Sequence, residues 1–318
     1  MFTEVTGSTI CIRPRPSKGM GLIDLHTHTD RSDGSTPPGD LVRQAVAEGL
    51  EALAIADHDT LAGYDNACPT AADCGIELVC AVELSTRPNE QRESGKRERS
   101  VHVLGYWLSS PPTVEFRRYL ETQQTSRRKR NVDLVAKLQQ LGVSITLEDA
   151  EVYGRNQVGR PHFARVLLDK GYVSNLQEAF DVYLADEAQA GVERDEPTLD
   201  EGIRRINDGG GIASLAHPVR LPQRGPDLER LVEHLVEAGM VGIEVHHSEH
   251  SPADSAEFAR IARRFDLIPT GGTDYHGENK PGIRLGSGID GNVRLSYKFL
   301  EDMREMCAVR RQTVNGIV

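Results

Sequence analysis

A repeated unit constrains the fold of this chain more than any other feature: a short apolar run ends in ionisable side chains and is followed by a helical pattern. Seven such runs occur, and the first, Leu22 to His28, ends in two histidines. Parallel strands joined by helices bring their carboxyl ends to one face. The pattern therefore predicts an α/β protein, a distorted seven-stranded β/α barrel with its chemistry on that face. An open doubly wound sheet is the alternative, but it would spread the ionisable residues too far apart to share ions.

The arrangement of the units predicts how the chain is divided. Residues 1–20 are polar and contain proline and glycine, which predicts a flexible N-terminal extension. Residues 21–110 and 200–290 carry the strand and helix units and are predicted to form the barrel. Residues 111–199 show helical patterns without a convincing strand, which predicts a helical insertion over the C-terminal face that acts as a substrate cap. Residues 291–318 are predicted to form a final helix and tail.

Composition excludes several classes of partner. The 318 residues carry a net charge of −11, which argues against a long duplex nucleic acid as partner. No apolar run approaches the roughly 20 residues that span a bilayer, and the N-terminus lacks the pattern of a secretory signal, so no membrane association is expected. The five cysteines include no CxxC pair. They argue against a disulfide framework or thiolate zinc site and predict a cytoplasmic location.

Histidines and carboxylates concentrate on the strand-like runs. Eight of the eleven histidines lie on those runs or just after them. Alternation along a strand places His26 and His28 on one face, close enough to bind one metal ion. Imidazole and carboxylate ligands suit zinc, manganese or iron, and burying the set without cations would be costly. Nine ligands are too many for one ion and adequate for three. The nine candidate ligands are His26, His28, Asp33, His58, Glu83, His102, His217, Asp274 and His276.

Several motifs together resemble a known family. The motifs HTHTDRSDG, ADHDT, VHVLGY, AHP and GGTDYH, with a strand-terminal glutamate, occur in the order seen in the PHP (polymerase and histidinol phosphatase) family of metal-dependent phosphoesterases. The resemblance covers about Leu22 to Gly288. It implies the PHP-type barrel and three overlapping ligand sets. These sets are His26, His28, Glu83 and Asp274; Glu83 as a bridge, with His102 and His217; and Asp33, His58 and His276.

Within that family, the chain resembles the stand-alone nucleotide phosphoesterases most, through the segments GRPHFARVLLDKGY and GIEVHHSEHS. The resemblance implies hydrolysis of a 5′-nucleoside monophosphate, a 3′,5′-bisphosphate nucleotide or a short 5′-phosphorylated oligonucleotide, with phosphate as product. It implies two or three divalent ions per chain, with Mn²⁺ as first choice and Fe²⁺ or Zn²⁺ as alternatives. Our hypothesis is that a hydroxide shared by the two ions around Glu83 attacks phosphorus in line.

Substrate contacts are predicted from helix ends and loops. Arg160 and His162 begin a predicted helix, where a helix N-terminus and a guanidinium form a natural phosphate site. His250, on the loop after the sixth run, is a candidate general acid for the leaving oxygen. His247 is a candidate for contact with the scissile phosphate.

The remaining charged residues near the motifs receive simpler interpretations. Asp24, Asp57 and Asp59 are candidates for fixing the ligand imidazoles, and turn or cap chemistry is an equal alternative for Asp59. The other basic positions are interpreted first as solvated surface, with contact to a substrate phosphate as the alternative: the run Arg127-Arg128-Lys129-Arg130, Arg220 and Arg284.

Two rival functions stay open at this point. One is a phosphatase for a small molecule of the histidinol-phosphate type, and the other is a non-catalytic, metal-stabilised binding protein. A metal-dependent amide hydrolase on a similar barrel usually relies on a lysine or its carbamate. No lysine stands at a strand end in this sequence, which disfavours that class.

Overall fold

The structure is a computed structural model, and it describes residues 21–89, 100–154, 158–185, 188–192 and 194–314. The predicted N-terminal extension, residues 1–20, lies outside the described residues. Within the described ranges, no helix is both long and apolar enough to cross a bilayer.

Eight strands form a single sheet: β1 Leu22–Thr27, β2 Leu50–Ile55, β3 Glu77–Thr86, β4 Val101–Trp107, β5 Ile212–Leu215, β6 Gly242–His246, β7 Ile268–Gly271 and β8 Leu295–Ser296. Their order is β7-β6-β5-β4-β3-β2-β1-β8. The backbone N–H of Asp274, just after β7, donates to the carbonyl of His26 at 2.8 Å, and that of His28 donates to Tyr275 at 2.9 Å. These bonds join the two ends of the sheet, which is therefore a nearly closed barrel.

Two features of the sheet correct the prediction. The strand count is eight rather than seven, because the two-residue β8 pairs antiparallel with the start of β1. In addition, β4 runs antiparallel to both β3 and β5, whereas the other pairs among β1–β7 are parallel. An antiparallel strand begins where its parallel neighbours end. His102, the second residue of β4, therefore reaches the same edge as the carboxyl ends of the other strands, opposite Ser85.

Helices connect most of the strands, and several of them stand between β4 and β5. Polar side chains cap the N-termini of some of these helices. The Thr113 hydroxyl accepts from the N–H of Phe116, and the Thr198 hydroxyl accepts from the N–H of Glu201. The helices are α1 Pro38–Ala47, α2 Ala62–Cys74, α3 Val114–Gln140, α4 Leu147–Gly154, α5 Arg160–Asp169, α6 Leu176–Ala179 (continued by a π-helical turn, Phe180–Leu184), α7 Leu199–Asp208, α8 Gly225–Glu237, α9 Pro252–Arg264 and α10 Tyr297–Val314.

Three apolar cores hold these elements. Alternate residues of β2 divide between two of them: Leu53 packs towards the outer helices, and Ala54 packs in the cluster that includes α10. The third core lies within α3–α6, where Leu134, Phe163 and Leu167 are buried. Helices α3–α6 therefore have an apolar core of their own beside that of the barrel.

Candidate metal centre

The end of β1 presents two fully buried histidines to two buried carboxylates. His28 Nε2 lies 3.1 Å from Glu83 Oε2 and 3.3 Å from Asp274 Oδ1. His26 Nε2 lies 3.4 Å and 3.6 Å from the same two oxygens. One atom from each of these four side chains falls within 4.8 Å of the others, which is a spacing that a single ion can bridge.

Glu83 also contacts three histidines from other elements. Its Oε1 lies 2.8 Å from His102 Nδ1 and 2.8 Å from His217 Nε2, and its Oε2 lies 3.4 Å from His58 Nδ1. Glu83, on β3, is therefore the point at which five imidazoles meet. That position suits the bridging role predicted for it.

A further group forms around Asp33, on the turn after β1. Its carboxylate lies 3.2 Å from His276 Nε2, 3.6 Å from His58 Nε2 and 3.6 Å from His28 Nδ1. The structure thus brings all nine predicted side chains into one cluster. The grouping differs from the predicted sets, because His28 also joins the group around Asp33, and His58 rather than His217 groups with Glu83 and His102.

The chemistry of the donors fits divalent ions. Three buried ring nitrogens, His26 Nε2, His28 Nε2 and His58 Nδ1, have no hydrogen-bond partner within the described part of the chain, and all three lie near Glu83. Buried polar atoms are normally paired, and an ion among them would satisfy all three. Burial lowers the pKa of His58 and of His217 to about 3, so both rings are in the neutral form that binds metal.

Glu244, the middle residue of β6, was missed by the sequence analysis. Its Oε1 accepts from His26 Nδ1 at 2.9 Å, and its Oε2 accepts from the backbone N–H of His217 at 2.6 Å. His217 has a positive φ of 26°, which few non-glycine residues adopt. Glu244 therefore turns the His26 ring so that Nε2 faces Glu83. Its place on a strand-like run was the signal that identified the predicted ligands, and it could have revealed Glu244 too.

The three aspartates predicted to fix imidazoles hold other groups. Asp24 accepts from the backbone N–H of Thr273 at 2.9 Å, which anchors the segment that carries Asp274. Asp57 accepts from the backbone N–H of Thr29 at 2.7 Å and so shapes the turn before Asp33. In the described residues, the hydrogen bonds of these aspartates run to backbone and to other side chains rather than to a ligand imidazole.

The basic run on α3 is only in part a solvated face. Arg128 and Lys129 have side chains 68% and 80% exposed, as expected for such a face. Arg127 and Arg130, however, are turned inward: Arg130 is 4% exposed, and Arg127 contacts the buried Asp59. Residues three positions apart lie on the same side of a helix, so the side chains of Arg127 and Arg130 point in the same direction. The interpretation as solvated surface was wrong for these two.

A cavity of about 290 Å³ adjoins the cluster and is bounded by the strand ends, by α3 and α5, and by Phe180. Arg160, at the start of α5, lies in its wall. His162 is buried two residues further on, where its Nδ1 accepts from the N–H of Gly159 at 2.8 Å, and burial lowers its pKa to about 4. The charged and imidazole side chains in the wall include Asp33, His58, His102, Arg127, Arg130, Arg160, Arg194 and Glu196.

On the other side of the cluster, two cations contact Asp274. Arg220 Nη2 lies 2.8 Å and Lys280 Nζ 2.7 Å from Asp274 Oδ2, which leaves Oδ1 facing His26 and His28. Arg220 is therefore not an ordinary surface side chain as predicted, whereas Arg284 is exposed.

His247 and His250 follow β6. His247 Nε2 lies 3.4 Å from Asp274 Oδ2. His250 stands behind His247, with ring centroids 5.1 Å apart, and its Nδ1 donates to the carbonyl of Val245 at 3.0 Å. The roles predicted for His162, His247 and His250 stay predictions.

Comparisons with known proteins agree with this site. A family model described as the PHP domain matches residues 24–184. A 5′-3′ exoribonuclease of Haemophilus influenzae is 34% identical over 80% of this chain and 89% of its own length. A 3′,5′-nucleoside bisphosphate phosphatase of Chromobacterium violaceum is 30% identical over 84% of this chain and 91% of its own length.

A solved structure described as a metal-dependent phosphoesterase of Bifidobacterium adolescentis has a similar fold. It superposes with a TM-score of 0.74 at 28% identity and covers 89% of this chain and 96% of its own. One conclusion follows from the family model, the two curated relatives and this structural neighbour. The chain belongs to the PHP domain family.

Proposed function

We propose that this protein is a metal-dependent phosphoesterase that hydrolyses phosphate esters of nucleotides. The substrate classes are 5′-nucleoside monophosphates, 3′,5′-bisphosphates and short 5′-phosphorylated oligonucleotides, with phosphate or a nucleotide released. The observation that carries the proposal is the meeting of five imidazoles at Glu83, beside a cavity with arginines in its opposite wall. The names of the two curated relatives support nucleotides as the substrate class.

The overlapping donor groups support two or three ions per chain. The groups around Glu83 and Asp274, around Glu83 and His102, and around Asp33 are each compatible with one ion. Mixed imidazole and carboxylate donors favour Mn²⁺ as first choice, with Fe²⁺ and Zn²⁺ as alternatives. When bound, such ions supply Lewis-acid chemistry, because they polarise phosphoryl oxygens and lower the pKa of water.

The chain's own residues bind and orient the substrate. Arg160 offers its guanidinium to a phosphate oxygen at the N-terminus of α5, where the helix dipole also favours an anion. Glu244 holds the ring of His26 in place. Arg220 and Lys280 hold one oxygen of Asp274, so that the other stays directed at the cluster.

Helices α3–α6 act as a substrate cap in this proposal. They have their own apolar core, and α3 and α5 supply one wall of the cavity, while the strand ends supply the other. A cytoplasmic location is part of the proposal, because Cys68, Cys74, Cys80 and Cys307 form no disulfide in the structure.

The test is phosphate release from a panel of esters by the purified protein, reconstituted separately with Mn²⁺, Fe²⁺ and Zn²⁺. The panel contains 5′-mononucleotides, nucleoside 3′,5′-bisphosphates, a 5′-phosphorylated short RNA and histidinol phosphate. We expect nucleotide hydrolysis that a chelator abolishes and re-added metal restores. Preference for histidinol phosphate would favour the small-molecule phosphatase. Tight metal binding without hydrolysis of any ester would favour the binding protein.

A further inference from the structure

Asp59 is a buried carboxylate that joins the barrel to α3. It follows His58 in the turn after β2, and its side chain is 0% exposed. Its Oδ1 accepts from the backbone N–H of Ser85 on β3 at 2.8 Å. Its Oδ2 lies 2.9 Å from Arg194 Nη2 and also contacts Arg127 Nη2 of α3. One oxygen therefore binds the barrel, and the other binds two cations that come from outside it.

A short segment, residues 194–198, strengthens the same junction, and we call it the strap. The Ser126 hydroxyl of α3 donates to the carbonyl of Asp195 in the strap at 2.9 Å. On the barrel side, the N–H of Arg87 donates to the carbonyl of Pro197 at 2.9 Å. The strap therefore lies between α3 and the end of β3, and its first residue supplies one of the two cations at the buried carboxylate.

A different ion pair also joins the barrel to α3, but it is exposed. Arg117 of α3 donates to both oxygens of Asp65 on α2, at 2.7 and 3.1 Å, and the two side chains are 29% and 48% exposed. Exposed ion pairs contribute little because water screens them, whereas breaking a buried pair leaves a charge without compensation. Of these two contacts, the one at Asp59 therefore holds α3 far more firmly.

The buried junction lies beside the substrate cavity. Ser85, Arg127 and Arg194 all line that cavity, together with His58 from the strand ends and Arg160 from α5. The separation between the wall formed by the strand ends and the wall formed by α3 and α5 is therefore set at this junction. A nucleotide that contacts both walls depends on the separation, whereas a small ester that contacts only the metal ions does not.

We infer that Asp59 is a positioning residue that latches α3, through Arg127 and Arg194, at the distance from the strand ends that a bound nucleotide requires. This inference rests on the proposed function and adds to it the contact that keeps the cap closed. It assigns Asp59 to the fit of the substrate rather than to the orientation of a ligand imidazole.

Asp59→Asn isolates this latch. The backbone of Asp59 has a positive φ of 54°, which asparagine also adopts readily, and the amide oxygen still accepts from the N–H of Ser85. The amide lacks the negative charge that compensates Arg127 and Arg194. Asp65→Asn is the matched control, because it makes the same change in an exposed ion pair to the same helix.

The experiment compares kcat/KM for adenosine 5′-monophosphate with kcat/KM for p-nitrophenyl phosphate, using the manganese-loaded protein. Asp59→Asn should lower the ratio of the first to the second by roughly 10- to 100-fold, mainly through KM for the nucleotide, because displacement of a positioning group by about 1 Å has effects of that size. Bound metal should stay constant, and Asp65→Asn should leave the ratio unchanged. An unchanged ratio in Asp59→Asn, or a loss of bound metal, would overturn the inference, since a purely structural residue or one that acts through His58 gives those results.

Hydrogen exchange tests the latch without reference to hydrolysis. Asp59→Asn should raise the exchange rates of amides in the middle of α3 at least tenfold, while those of α9 and the rates in Asp65→Asn should stay near wild type. If Asp59→Asn does not fold, Arg127→Met is the second variant. It leaves Arg194 on the carboxylate and should raise the same rates by a smaller factor. Wild-type exchange rates in α3 would contradict the latch.

These measurements separate failure of the inference from failure of the proposed function. If wild type hydrolyses both esters and Asp59→Asn keeps the wild-type ratio, the proposed function stands and the latch is rejected. If wild type hydrolyses neither ester, the proposed function fails. Faster exchange of α3 in Asp59→Asn, together with at least tenfold weaker calorimetric binding of adenosine 5′-monophosphate, would then support the latch, and wild-type values of either would reject it.

Discussion

The cavity has two walls that differ in charge and in origin. The strand-end wall is built from Asp33, His58, His102 and the adjoining Glu83, and its buried ring nitrogens need cations. The helical wall is built from arginines of α3 and α5 and from Arg194, and among the described residues Arg130 Nε has no hydrogen-bond partner there. Each wall by itself is an unfavourable collection of buried polar groups. The comparison supports our proposal that metal ions and a phosphorylated ligand complete the same site from opposite sides.

Glu83→Gln is the largest perturbation of the strand-end wall. Removing one partner of a buried charged group costs about 3–5 kcal/mol, which corresponds to roughly a 100- to 5000-fold change in an equilibrium constant. We expect kcat and bound metal to fall together, as measured by phosphate release and by elemental analysis. Glu233→Gln, on the exposed side of α8, is the control. Full activity with full metal content in Glu83→Gln would show that the two walls are not coupled through this residue.

Glu244→Gln tests how the strand-end wall is oriented. A carboxylate accepts from both His26 Nδ1 and the His217 N–H, whereas an amide has only one accepting oxygen. Loss of such a supporting partner typically lowers metal affinity or activity by about 10- to 100-fold. Metal titration followed by activity would measure this, with Glu237→Gln at the end of α8 as control. Unchanged metal affinity would assign Glu244 to folding alone.

Arg160→Met probes the helical wall. The lost charge-assisted hydrogen bond should raise KM by about tenfold, and the bound metal should stay constant, because Arg160 lies away from the ligand set. Arg165→Met, on the same helix with a 57% exposed side chain, is the matched control. An effect on metal content instead of KM would mean that the two walls are less separate than the structure suggests.

Metal removal compares the walls by stability rather than by activity. An ion at 100 times its Kd stabilises the native state by about 2.7 kcal/mol, which is roughly 5 °C in Tm for a chain of this size. Differential scanning calorimetry with and without a chelator should show that decrease. Glu83→Gln, having lost the bridge, should show a smaller decrease. Equal decreases in the two proteins would mean that the stabilising ion binds elsewhere.

The strand-end wall was largely predictable, whereas in the helical wall the sequence singled out Arg160 but not the inward direction of Arg127 and Arg130. The side chains of the strand-end wall follow strand-like runs in the sequence. The rule that strand ends meet at one face needs only the order of the elements. The directions of Arg127 and Arg130 depend on how α3 is rotated against the barrel. That rotation is set by the packing of Leu134 and Leu138 into the core of α3–α6, which a single sequence with four adjacent basic residues does not reveal.

The sequence by itself determined the class of fold, the nine clustered side chains and the family, because short-range patterns and the order of motifs specify them. Tertiary structure decided the antiparallel direction of β4, the part played by Glu244, the contact of Arg220 with Asp274 and the inward turn of Arg130. Each of these depends on contacts between residues far apart in the chain, such as His26 with Glu244, separated by 218 positions. Such contacts form only when the elements have packed, so no local pattern carries them.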